Sequence, residues 1–145
     1  MPAAGIALAN ALVTAILVGL TWTIERVHYP LFAEVGAIHF PAYHASHTAR
    51  MGTIAAPLMV AEAVLALLVV LRPSVTTSPL LAWSGLILVG LVWLVTFAWA
   101  VPLHGRLSAG FDEELHRSLC LSHFIRSLLW TARGALAAFP LWRAI

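Results

Sequence analysis

Four long apolar stretches alternate with short segments that hold almost every charge. Ala3 to Ile24 carries no charged residue, and Met51 to Leu71 is interrupted only by Glu62. Pro73 to Leu103 is uncharged, and Ser118 to Trp142 carries only Arg126 and Arg133. A membrane-spanning helix needs about 20 predominantly apolar residues. Each stretch therefore predicts one span, at about 3–24, 51–71, 79–101 and 118–142. The first run has no basic residue before it and ends in Glu25-Arg26 instead of a small-residue cleavage site, so it reads as a retained helix.

The connections follow from their turn residues. Pro73 to Ser78 reads as a short turn, with Ser78 and Pro79 suited to N-cap and N1 of the third helix. Pro102 to Asp112, with Gly105 and Gly110, reads as a loop. Val27 to Tyr43 is amphipathic and bracketed by Pro30 and Pro41, which predicts a segment lying along the membrane surface. The expected fold is all-α: a single-domain integral membrane four-helix bundle over residues 1–145, with a short interfacial segment between helices 1 and 2.

Composition agrees. The chain is 61% hydrophobic and 10% charged, where a soluble domain carries about 25% charged residues. The net charge of +2 comes from arginines flanking the spans, which implies a lipid partner and no nucleic acid. Arg26, Arg50, Arg106 and Arg117 lie on the side of the 1–2 and 3–4 loops; Arg72 and Arg143 lie on the other. That bias orients the first side towards the cytoplasm. The single cysteine, Cys120, excludes an internal disulfide and a multi-cysteine metal cluster.

Laying the helices antiparallel brings all seven histidines to one membrane face. His28 follows helix 1, His39, His44 and His47 precede or open helix 2, His104 follows helix 3, and His116 and His123 open helix 4. His44 and His47 are an i, i+3 pair on one side of a helix. Glu25-x-x-His28 and Glu113-x-x-His116 repeat the Glu-x-x-His spacing of di-metal carboxylate bundles. Imidazole and carboxylate donors suit iron, copper or zinc. The expected metal ligands are His28, His44, His47 and His104, with Glu25, Glu113 and His116 completing the shell around one or two ions. The competing reading makes some of these interfacial residues, and makes Glu25 and Glu113 ordinary surface ion-pair partners. His39 belongs to that bland class.

Helix 4 adds a polar stripe of His116, Cys120, His123, Ser127 and Trp130, with Arg126 and Arg133 on or beside it. Arginines inside a span are costly and face the bundle interior. Glu62 is the only acid within a span and lies at matching depth on helix 2. It is expected to pair with Arg126, Arg133 or both, and an arginine left over would suit a carboxylate or phenolate substrate. Aromatic residues near the histidine face serve packing, anchoring or the lining of a pocket for a flat lipophilic substrate.

Four strings carry a resemblance: Val27-His28-Tyr29-Pro30-Leu31-Phe32, Tyr43-His44-x-x-His47-x-x-Arg50, Val101-Pro102-Leu103-His104-x-Arg106-Leu107 and Ile125-Arg126-Ser127-x-x-Trp130-Thr131-x-Arg133. They resemble a group of small four-helix bacterial membrane proteins that is loosely anthrone-oxygenase-like. The resemblance implies a multi-pass protein of the bacterial inner membrane and shared positions at His28, His44, His47, His104, Arg126 and Arg133. It also implies an oxygenase of polycyclic phenolics. His116 and His123 depart from the pattern.

Three function classes stay open. The first is a metal-dependent oxidoreductase or oxygenase with a lipophilic substrate; the Glu-x-x-His pairs favour it. The second is a b-type haem protein with two axial histidines, against which the surplus of histidines counts. The third is a non-enzymatic metal-handling protein, or an accessory subunit of a larger membrane complex or homo-oligomer.

Overall fold

The computed structural model describes residues 2–72 and 77–142, and every long element in it is helical. We label the helices α1 (Ala3–Phe32), α2 (Phe40–Leu71), α3 (Pro79–Leu107) and α4 (Glu113–Trp142). Most of the turn expected from Pro73 lies outside the described residues, as does Arg143. At the start of α3, Ser78 caps the helix, its side-chain oxygen accepting from Leu81 N–H at 3.3 Å, with Pro79 next.

Two helices run past boundaries that proline suggests. α1 continues through Pro30 and α3 through Pro102, because each carries a π turn just before its proline. Tyr29 N–H donates to Ile24 O, and Val101 N–H to Thr96 O, both five residues back. A proline lacks an N–H and its ring strikes the carbonyl four residues earlier. A widened turn moves that carbonyl aside, so the helix passes through. α4 starts at Glu113, with the Asp112 carboxylate accepting from Leu115 N–H at 2.8 Å. The expected interfacial segment is thereby reduced to residues 33–39, and the 3–4 loop to 108–112.

α1 packs on α2 and α4, and α3 packs on the same two, closing an up-down-up-down bundle. Two apolar layers hold it together. Leu17, Met59, Val92 and Trp130 supply one residue from each helix to the middle layer. Phe32, Phe40, Leu103, Leu107 and Leu119 fill the end where the histidines lie.

The polarity is inside-out. The interior holds Asn10, Thr14, His44, Glu62, Ser122, His123, Ser127 and Arg133, while Leu12, Ile16, Val64, Ile87, Leu94, Leu121 and Leu128 face outward. α1, α2 and α3 are each long and apolar enough to cross a membrane. α4 is as long, but its inward polar stripe lowers its hydropathy; its outward face is apolar like the others.

At Gly134, α4 approaches α1 closely. A Cβ built there would lie 3.2 Å from Val18 Cγ2 and 3.9 Å from Thr14 Cγ2, whereas one at Gly19 meets nothing within 4 Å. Small residues permit such close approach between membrane helices. Gly134→Leu should cost about 1–3 kcal/mol by overpacking. Gly19→Ala should be neutral or stabilise by up to about 1 kcal/mol. Unfolding midpoints in detergent measure both, and an unchanged Gly134→Leu midpoint would rule out this α1–α4 approach.

Candidate functional site

The two π turns position the site. Each re-phases its helix just before a residue the site uses: Tyr29 in α1, and the stretch from Ala100 to His104 in α3. Tyr29 is 3% exposed, and its hydroxyl lies 3.0 Å from His104 Nε2. His104 Nδ1 in turn lies 3.0 Å from Nε2 of His44, which is fully buried and stacked on Phe40. The three form one hydrogen-bonded line from α1 through α3 to α2.

Tautomers follow from this line. If the phenol donates, His104 carries its proton on Nδ1 and donates to His44, whose own proton is then on Nδ1. In the opposite sense, His44 donates, His104 returns its Nε2 proton to the phenolic oxygen, and His44 Nδ1 is a bare lone pair. In either case His44 Nδ1 is buried with no hydrogen-bond partner among the described residues. Moving one proton across each bond turns the first state into a tyrosinate paired with a His44 imidazolium. The neutral reversed state then requires a proton gained at the phenol and one lost from His44 Nδ1, so any net transfer along the line has to be completed by a proton from a molecule beside Tyr29.

The other expected ligands separate into different groups. His28 and His47 face each other with ring centroids 5.5 Å apart, and the His47 ring also meets Phe32 at 4.9 Å. Glu25 Oε2 accepts from His123 Nδ1 at 3.0 Å, a contact that spacing along the chain did not anticipate because the partner lies on α4. His116 spends its Nε2 proton on the Tyr29 carbonyl at 2.8 Å. Glu113 stands apart from these groups. It stands on the exposed first turn of α4, paired with Arg117 at 3.1 Å, because Glu113, Glu114 and Arg117 satisfy one another in water. No three of the His, Cys, Asp and Glu side chains among the described residues converge on a point that could hold a metal ion.

A cavity of about 400 Å³ adjoins these groups between α2 and α3. Its walls are Met51, Gly52, Ala55, Ala56, Met59, Val60, Phe97 and Val101, and its closed end presents Tyr29, His47, His104, His123 and Arg126. Gly52, Ala56, Phe97 and Val101 are also exposed on the outside of the bundle, which places the mouth on its apolar outer face. An apolar pocket of this size with a few convergent polar groups is the usual form of a small-molecule site. The sequence singled out His47, His104 and Arg126 but not His123 or Trp93. His123 stood only on the polar stripe of helix 4, and nothing in the sequence marked Trp93.

No family model, curated protein or solved structure matches this chain.

Deeper in the bundle, Glu62 is fully buried among donors. Thr14 Oγ1 donates to its Oε1 at 3.0 Å and Trp130 Nε1 to its Oε2 at 2.9 Å. Arg133 Nε stands 4.0 Å from Oε1, and its Nη2 donates to Asn10 Oδ1 at 2.6 Å. Arg133, not Arg126, is thus the partner of Glu62, and this group ties α1, α2 and α4 together. Arg126 instead lies over the Trp130 ring at 5.2 Å.

Proposed function

We propose that this protein is a membrane-embedded enzyme that takes a lipophilic small molecule from the bilayer into the α2–α3 cavity. There it carries out proton-transfer chemistry on the molecule's polar head with Tyr29, His104 and His44. The observation that carries the reading is the cavity itself: apolar walls, a mouth on the apolar outer face, and one end that gathers a phenol, three imidazoles and a guanidinium from all four helices. A purely structural bundle gains nothing from placing so many hydrogen-bonding groups around empty space, since each costs free energy to desolvate.

A metal-dependent oxidoreductase or oxygenase is the second reading, and one distance favours it. Two ring nitrogens bound to one ion at about 2.0–2.1 Å each lie about 3.0–3.4 Å apart, and His44 Nε2 and His104 Nδ1 are 3.0 Å apart. These two residues, with Tyr29 behind His104, are the ones that would hold such an ion, supplying a Lewis acid or redox centre at the cavity end. The remaining ligands would have to come from substrate, solvent or a shift of His47. A bis-histidine haem fits less well, because nitrogens so close leave no room for a macrocycle between them.

The test uses detergent-purified protein, with 2-naphthalenemethanol as a neutral lipophilic probe and elemental analysis alongside. Saturable quenching of tryptophan fluorescence, Trp93 being in the cavity wall, is expected, with loss of any turnover but not of binding in His104→Ala. Absence of saturable binding would refute the cavity reading. Stoichiometric iron, copper or zinc that disappears in His44→Ala would establish the metal reading; less than one equivalent per several chains, with no uptake on reconstitution, would eliminate it.

A further inference from the structure

Arg126 is the one charged side chain that lines the cavity, and the proton relay does not use it. No hydrogen bond or ion pair from the described residues reaches its guanidinium, and its Nε is buried with no acceptor. The acids that could have neutralised it are committed elsewhere: Glu25 to His123, and Glu62 to Thr14, Trp130 and Arg133. Its neighbour on the same helix, Arg133, has both an acid and an amide oxygen. A second side chain of the cavity wall shows the same lack, since Trp93 Nε1 is also buried without an acceptor. Both orphans are donors, so what is missing is an acceptor, and beside an unpaired cation in a low-dielectric interior that acceptor is an anion.

We propose that the cavity binds a lipophilic carboxylate, its head on the Arg126 guanidinium and its apolar body along the wall between α2 and α3. The inference rests on the reading of the cavity as a ligand site and names the class of ligand. A carboxylate fits the charge, because one guanidinium balances one negative charge and the planar fork matches two carboxylate oxygens. A phosphate monoester dianion would leave a charge over, and a phenol with a pKa near that of tyrosine, about 10, is neutral at pH 7. The position also makes chemical sense, since the head would lie beside Tyr29, His104 and His123 at the same end of the cavity.

The experiment compares 2-naphthoate with its neutral counterpart 2-naphthamide by fluorescence titration in detergent at pH 7.5, in the wild type, Arg126→Gln and Arg126→Lys. The expected result is at least tenfold tighter binding of the naphthoate in the wild type. Arg126→Gln should bring the naphthoate down to the amide's affinity while leaving the amide unchanged, and Arg126→Lys should retain part of the preference. Decanoate should displace the naphthoate if the natural ligand is a fatty acid; a failure of decanoate with success of the naphthoate points to an aromatic acid, and both outcomes support the carboxylate. Equal affinity for the two probes in the wild type, or an equal loss of both in Arg126→Gln, would overturn the inference while the cavity reading stands. If neither naphthalene probe binds the wild type, both fall. Should Arg126→Gln not fold, the wild-type preference and the Arg126→Lys series still decide the matter.

Discussion

Glu62→Gln is expected to destabilise the bundle by about 3–5 kcal/mol, the usual cost of removing one partner of a buried ion pair. The side chain is nearly isosteric, so the cost isolates the charge. A glutamine carbonyl can still accept from Trp130 Nε1, and the Thr14 hydroxyl can turn to accept from the new amide. Arg133 has no such recourse. Its side chain is 3% exposed, Asn10 supplies only a neutral oxygen, and the guanidinium would be left without a counter-charge inside the bundle. Adding Arg133→Gln to Glu62→Gln should restore a large part of the loss, because the two polar amides can pair without net charge. Denaturant or thermal unfolding in detergent measures the cycle. An unchanged midpoint for the single variant would mean that water reaches Glu62 and that the pair carries no weight.

Gly52→Phe should abolish ligand binding, by about 100-fold or more, equivalent to about 2.8 kcal/mol at 1.4 kcal/mol per tenfold, while the protein stays folded. Gly52 lies in the cavity wall on α2, and a Cβ there meets nothing within 4 Å. The ring can therefore occupy the cavity without pushing the backbone. Replacing a mid-helix glycine also removes an entropic penalty of about 0.5–1 kcal/mol, so stability should hold or rise. Titration with the naphthalene probes and an unfolding curve on the same preparation give the two readouts. Wild-type affinity in a folded Gly52→Phe protein would place the ligand elsewhere.

The two substitutions probe different depths of one design. Glu62 and Arg133 lie near the middle of the bundle, where Thr14 and Trp130 donate to Glu62 and the Asn10 amide oxygen accepts from Arg133. Arg126, two turns nearer the histidine end, is left without an acid. The same helix thus presents one arginine that locks the fold and another available to a ligand. Sequence spacing placed Glu62 level with both and could not choose between them, because the choice depends on the side to which α2 is rotated.

The sequence by itself determined the number of long helices, their antiparallel order and the end at which the histidines gather. Those features rest on hydrophobic runs and chain connectivity, which are local. It also marked the residues that the interior would have to satisfy, since an ionisable group in an apolar stretch has few places to go. Helix ends were misread at Pro30 and Pro102 because a π turn leaves no compositional trace; its effect is a carbonyl moved away from a proline ring. Which side chains meet was decided only in three dimensions. His104 faces both Tyr29 and His44, Glu25 turns to His123 instead of joining His28, and Glu113 stays in water. Helix rotation settles these partners, and it follows from packing four faces at once, so that His104, Glu25 and Glu62 meet partners on helices far away in the chain.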